Sequence, residues 1–290
     1  MSITLGPNRY GKAETRVVRI DRDSPRHEIT DLNVSISLSG DFADTHLTGD
    51  NSNVLPTDTQ KNTVYAFAAD GIGPIEEFGS RLAQHFVETH PPTRQARVAI
   101  EEYGWLRLHV GTAPALHSFL RSGPEIATAV VDFDGASLTV VSGIQGLVVL
   151  NSTDSEFAGY TKDRYTTLPE TDDRILATEV SARWQYANGQ LQDWRQSRTA
   201  VRAILLETFA GTYSKSLQQT LYTMGERVLE QRPEVAGIRL VMPNKHHIAV
   251  DLRPFGLENR KEVFAVPDRP YGLIEGTIGR SGVATPGLDW

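Results

Sequence analysis

Two adjacent histidines, His246 and His247, close the run MPNKHH. Paired imidazoles raise the question of a metal site, because histidine is the commonest side-chain metal ligand. If they lie on a strand, neighbours point to opposite faces and cannot converge on one ion without a bulge. No His-Glu-x-x-His occurs, cysteine is absent, and the six other histidines show no ligand spacing. The expectation is no metal, with one histidine facing a pocket and the other packed or hydrogen-bonded. Asn244, two residues before His246, belongs on the face of His246.

Other positions carry chemistry by residue type, and each has an ordinary structural explanation. Lys12 in RYGKAE stands before a strand-like run, as many surface lysines do. Thr57-Asp58 begins a helix, where free backbone N–H groups bind anions or polar ligand atoms. A plain N-cap accounts for the same pair. Arg174 in TDDRIL lies at a strand start among acidic residues, either as a donor fork or as a surface ion pair. Gln218-Gln219 opens a helix, exposed or ligand-facing. Gly71-x-Gly73 lacks a third glycine and a preceding strand, so it is no phosphate loop.

The elements that must carry these residues follow from periodicity. TRVVRI (15–20) and HEITDLNVSISLS (27–39) read as strands, the second with Val34, Ile36 and Leu38 alternating with polar residues. Thr57 followed by Gln60 matches a capping box and predicts a helix from about Asp58 to Ala69. Ile75, Phe78, Leu82 and Phe86 share a helical face that ends at Pro91-Pro92. Strands resume at ARVAIEEYGWLRL and ATAVVDFDG. SLTVVSGIQGLVVL reads as a strand pair turning near its glycines, and ILATEVSARWQY as a strand. Val201, Ile204, Leu205 and Phe209 mark one helix, and Leu217, Leu221, Met224 and Val228 another. IRLVMPNKHHIAVDL and YGLIEGTI return to strand patterning. The pattern is a β-β-α-α-β-β unit occurring twice, an α+β class with antiparallel sheets, over residues 1–136 and 137–290. The polar connection 151–173 is long enough to be functional.

Composition narrows the partners. The chain of 290 residues has room for two domains, with 39% hydrophobic and 22% charged residues. A net charge of −7 argues against nucleic acid or an acidic membrane as partner. No apolar run approaches the ~20 residues of a membrane span, and the first residues have no apolar signal core. The cytoplasm is the expected compartment. The ending GLDW is no peroxisomal signal, which points to a bacterial source.

Several segments together resemble urate oxidase, the uricase family. They include YGKAE, RHEITDLNV, TDTQKNTVYAFA and STDSEFAGYTKDRYTTLPETDDRILATEVSARW. They continue with LQQTLYTMGE, PNKHH, VDLRPFG and DRPYGLIEGTI, in order along nearly the whole chain. The resemblance implies the tunnelling fold, with two such units per chain and four chains stacked into a barrel-walled tunnel. It implies a homotetramer with active sites between subunits. It also implies oxidation of urate by molecular oxygen and water to 5-hydroxyisourate and hydrogen peroxide, with no metal or organic cofactor.

The resemblance assigns roles residue by residue. Arg174 resembles the urate-clamping arginine and Gln218 the glutamine holding another edge. Phe157 resembles the aromatic that stacks on the ring, and Leu168 an apolar wall. The backbone N–H of Asp58 meets a ring nitrogen or carbonyl, and Leu217, where valine is common, contributes through its backbone. Lys12, Thr57 and His246 resemble the catalytic proton relay; a lysine serves as a base only with its pKa lowered, as burial does. Asn244 resembles the asparagine that holds oxygen or peroxide, then water, above the ring. Lys12 and Thr57 are expected from one subunit and the remainder from its neighbour. A non-catalytic purine-binding scaffold would not need the Lys12, Thr57 and His246 set. A pterin enzyme using a cysteine-histidine zinc site is disfavoured by the absence of cysteine.

Overall fold

Alternation decides the first unit. The computed structural model describes residues 2–189 and 193–288, and these divide into two compact units. Residues 1–143 and 185–195 form the first, and residues 144–184 and 196–290 the second. In the first, β1 (Tyr10–Asp21), β2 (Glu28–Gly40), β3 (Thr93–Val110) and β4 (Ala113–Phe133) pair in chain order, all antiparallel. Leu32, Val34, Ile36 and Leu38 of β2 are buried on one face, as a period of two requires. After a short helix α1 (Ala43–Leu47), α2 (Thr57–Ala69) packs on β1, and α3 (Ile75–Thr89) on β3 and β4. Phe78, Leu82 and Phe86 of α3 are buried, each stabilising by about 2 kcal/mol. The helix comes so close that a Cβ on Gly79 would stand 2.9 Å from Val131.

The second unit repeats the order of elements. It contains the later part of β5 (Leu138–Asn151), most of β6 (Leu176–Tyr186) and α4 (Trp194–Gly211), and all of α5 (Leu217–Gln231), β7 (Val235–Asn244) and β10 (Gly272–Gly279). The strands run β5-β6-β7-β10, with β7 and β10 antiparallel. α5 lies on β7 and β10 and buries Leu221, Met224 and Val228. Its Gly225 and the Gly276 of β10 leave no room for a Cβ, which would meet Ile278 at 2.6 Å and Leu221 at 2.8 Å. Between β7 and β10 lies a small hairpin of β8 (Ile248–Ala249) and β9 (Phe264–Ala265), joined through a 3-10 turn at Arg253–Phe255. No described helix is long and apolar enough to cross a membrane.

Three local expectations are corrected. SLTVVSGIQGLVVL is one strand, β5, and not a pair. Its glycines break the apolar alternation without turning the chain, and Gly146 takes a positive φ of 73°. Thr57 is the first residue inside α2 and not its cap, which is Pro56 with no side-chain capping bond. The buried Gln60 does not reach back to the cap N–H, which proline lacks; its Nε2 donates to the Leu55 carbonyl at 3.3 Å. The strand expected through MPNKHHIAV stops at Asn244, and residues 245–247 are loop.

Candidate active site

In the first unit a β-bulge prepares the Lys12 position. The β1–β2 register shifts between Lys12 and Thr15, with Lys12 opposite Ile36. Glu14 absorbs the extra residue at φ 56°, a conformation that costs a side-chain-bearing residue energy and is often kept at functional positions. Its N–H donates to Ser35 Oγ at 3.0 Å. The loop entering α2 is tied to the same strand, because the Leu55 N–H donates to the Tyr10 hydroxyl at 2.8 Å. Thr57 and Asp58 therefore start their helix beside β1. The Asp58 carboxyl is held below its usual value, first by a hydrogen bond from Lys61, and also by Asn62 and the Lys12 charge. With no side chain capping α2, the first-turn N–H groups of Thr57 and Asp58 have no helical partner.

The second unit holds a cavity of about 410 Å³, within the size range of small-molecule sites. Phe157, Leu168, Arg174, Asn244 and His246 line it, so five of the predicted residues converge. Backbone pairing brings the long 151–173 connection to this place. Phe157 and Thr171 exchange hydrogen bonds at 2.8 and 3.1 Å. The Arg174 N–H donates to the Ser155 carbonyl at 2.8 Å, and Glu156 and Asp154 bridge to Ser214. The Phe157 ring stacks on Tyr160 with centroids 4.9 Å apart, and the Arg174 guanidinium carbon lies 5.2 Å from its centroid.

Arg174 is the chemically unusual member. Its Nε is buried with no hydrogen-bond partner among the described residues. Burial pushes its guanidinium pKa down from the ordinary arginine value. A buried donor with no acceptor costs about 1–3 kcal/mol, and an arriving anionic acceptor recovers that cost.

The two histidines are not divided between opposite faces. Both line the cavity, because the strand has ended before them and alternation no longer applies. The loop is held by the Lys245 N–H, which donates to the Ala177 carbonyl at 2.8 Å. His247 is also hydrogen-bonded locally, its Nδ1 3.0 Å from the Lys245 carbonyl oxygen.

Leu217 and Gln218 are not among the cavity-lining residues. They form the first turn of α5, close in sequence to Ser214, which bridges to Ser155. Leu217 is buried, and Gln218 is exposed. Ser216 caps the helix by accepting from Gln219 N–H at 3.2 Å, while the Gln219 side-chain oxygen accepts from Lys215 N–H at 2.8 Å. Of the paired glutamines, Gln219 is thus committed to the cap and Gln218 presents its amide. The cavity also takes in Asp173, Lys261, Ile248 and Phe264, which sequence reasoning missed. Asp173 was adjacent to a named residue. The others sit on or near strands of two residues, too short for periodicity to register.

Comparison with known proteins bears on what this arrangement does. A family model described as Uricase matches residues 8–132 and 140–275. A uricase of Arthrobacter globiformis is 51% identical, covering 97% of this chain and 91% of that protein. A uricase of Dictyostelium discoideum is 38% identical over 96% and 98% of the two chains. The crystal structure of the Arthrobacter globiformis uricase superposes with a TM-score of 0.94 at 50% identity, covering 98% of each chain. The urate oxidase of Bacillus sp. TB-90 superposes at 0.82 and 26% identity, covering 94% of this chain and 100% of that one.

Proposed function

The chain belongs to the uricase family and oxidises urate, and we propose that the cavity of its second unit holds the substrate and that the reaction needs no metal or organic cofactor. Urate gives two electrons to molecular oxygen, which leaves as hydrogen peroxide. Water supplies the hydroxyl group added at C5 to give 5-hydroxyisourate. Urate is flat, anionic and rich in carbonyls, so it needs a planar donor fork, an amide and an apolar face. Arg174 supplies the fork, Gln218 the amide, and Phe157 and Leu168 the apolar surfaces. The backbone of Leu217 and the N–H of Asp58 meet the remaining polar edge.

Proton transfer is assigned to Lys12, Thr57 and His246. Reaction with oxygen requires an electron-rich urate dianion, so a base must remove a proton beyond the first ionisation. Lys12 is that base, Thr57 passes the proton through its hydroxyl, and His246 sets the state of Lys12. Asn244 holds oxygen or peroxide, then water, over the ring. Lys12, Thr57 and Asp58 come from one copy of the chain, and the second-unit residues from its neighbour in a homotetramer.

The observation that carries this reading is Arg174, whose buried Nε has no hydrogen-bond partner among the described residues, on a cavity wall beside an aromatic ring. The test is loss of urate's near-ultraviolet absorbance, with peroxide release, in chelator-treated buffer. Decay with stoichiometric peroxide is expected. Decay that chelator abolishes would count against the cofactor-free mechanism. Full activity in Arg174→Ala would count against the assigned site.

A further inference from the structure

We infer that Lys261 is a positioning residue that keeps Arg174 available to urate by holding the adjacent Asp173 carboxylate away from it. The inference rests on Arg174 being the urate clamp. A free carboxylate within reach of an arginine competes for its donor fork, and a bidentate carboxylate would occupy the donors that urate needs. Here both Asp173 oxygens are occupied elsewhere. Oδ2 accepts from Lys261 Nζ at 2.7 Å, and Oδ1 accepts from Thr153 Oγ1 at 2.9 Å. The Asp173 backbone is fixed as well, its carbonyl accepting from Thr171 Oγ1 at 2.9 Å. These bonds, Lys261 first and Thr153 next, hold the Asp173 carboxyl below its usual value and therefore charged.

Lys261 reaches this place from far along the chain. It belongs to the loop between β8 and β9 and lines the same cavity as Asp173 and Arg174. Its φ of 63° is a left-handed conformation that a lysine adopts only under constraint. Asn259 supplies the constraint. Its amide donates to the Val250 and Val263 carbonyls at 2.9 and 2.7 Å, and its oxygen accepts from the Glu262 and Val263 N–H groups at 3.0 and 3.2 Å. Asp172 adds a second negative charge that favours the lysine cation. The pair is not built for stability, because the two side chains remain 36% and 61% exposed and such pairs contribute little to folding. Its consequence is local: the carboxylate nearest the clamp in sequence is occupied, and the clamp stays unpaired.

The test is steady-state urate kinetics, with anaerobic urate binding, on K261M, K261M/D173N and R174A. Methionine retains the length of the stem and removes the charge. K261M is expected to raise KM and the urate Kd about tenfold, the worth of one charge-assisted hydrogen bond, with kcat within about twofold. Adding D173N removes the competing carboxylate and should return most of that loss. A wild-type KM in K261M, alongside a raised KM in R174A, overturns the inference and leaves the clamp standing. A double variant as weak as K261M also overturns it, because the lysine would then act only by ordering its loop. A wild-type KM in R174A overturns the clamp and this inference together.

Discussion

Arg174 and Lys12 separate binding from chemistry, and their variants should fail differently. Arg174→Ala removes charge-assisted hydrogen bonds to the substrate, so KM for urate should rise about 10²-fold with a smaller change in kcat. Lys12→Ala removes a general base, so kcat should fall by ~10²–10⁴ while urate still binds. Equal losses in both parameters for either variant would refute the division of roles. At this scale the residue types were readable where the chemistry is intrinsic to the side chain. Arg174, Phe157, Leu168, Asn244 and His246 do meet at one cavity. His247 makes the local hydrogen bond expected of it but also lines the cavity, because alternation would turn it away only on a strand, and the strand ends at Asn244. Lys261 had no signal at all, since its value lies in a contact with Asp173 from which 88 positions of chain separate it.

Elements set how accurately those side chains are presented, and β1 shows it best. A Cβ on Gly11 would stand 1.8 Å from the Ile36 carbonyl oxygen, so β1 can lie this close to β2 only with glycine there. The bulge that follows begins at Lys12. Gly11→Ala should therefore cost about 2–3 kcal/mol, read as a lower urea midpoint, and should lower kcat as well because the neighbouring lysine is displaced. An unchanged midpoint would mean that the strand pair adapts freely. The strongly periodic elements, β2, α3 and α5, were readable because alternation or a helical stripe reports burial directly. The start of α2 was misread because a capping box and a proline cap present similar residues. β5 was misread because glycine within a strand and glycine in a turn look alike in sequence.

At the scale of the whole molecule, the proposed assembly has Lys12 and Arg174 of one copy serving different urate molecules. The chain holds them in different units, Lys12 in the first and Arg174 in the second. If each active site draws its base from one copy and its clamp from the neighbour, two dead variants should repair each other. K12A and R174A, each inactive alone at limiting urate, would be co-expressed and purified as mixed assemblies through different tags. Random mixing leaves about one interface site in four with both residues intact, so roughly a quarter of the wild-type activity should return. Light scattering should give about four times the 32.0 kDa chain mass for the active species. If instead each copy completes its own site, every site in the mixture carries one lesion and activity stays at the level of the separate variants. The same mixture distinguishes the assembly from its stability. Dilution that dissociates the mixed species should abolish the recovered activity in step with the loss of mass, and recovered activity that outlasts the loss of mass would count against a site shared between copies.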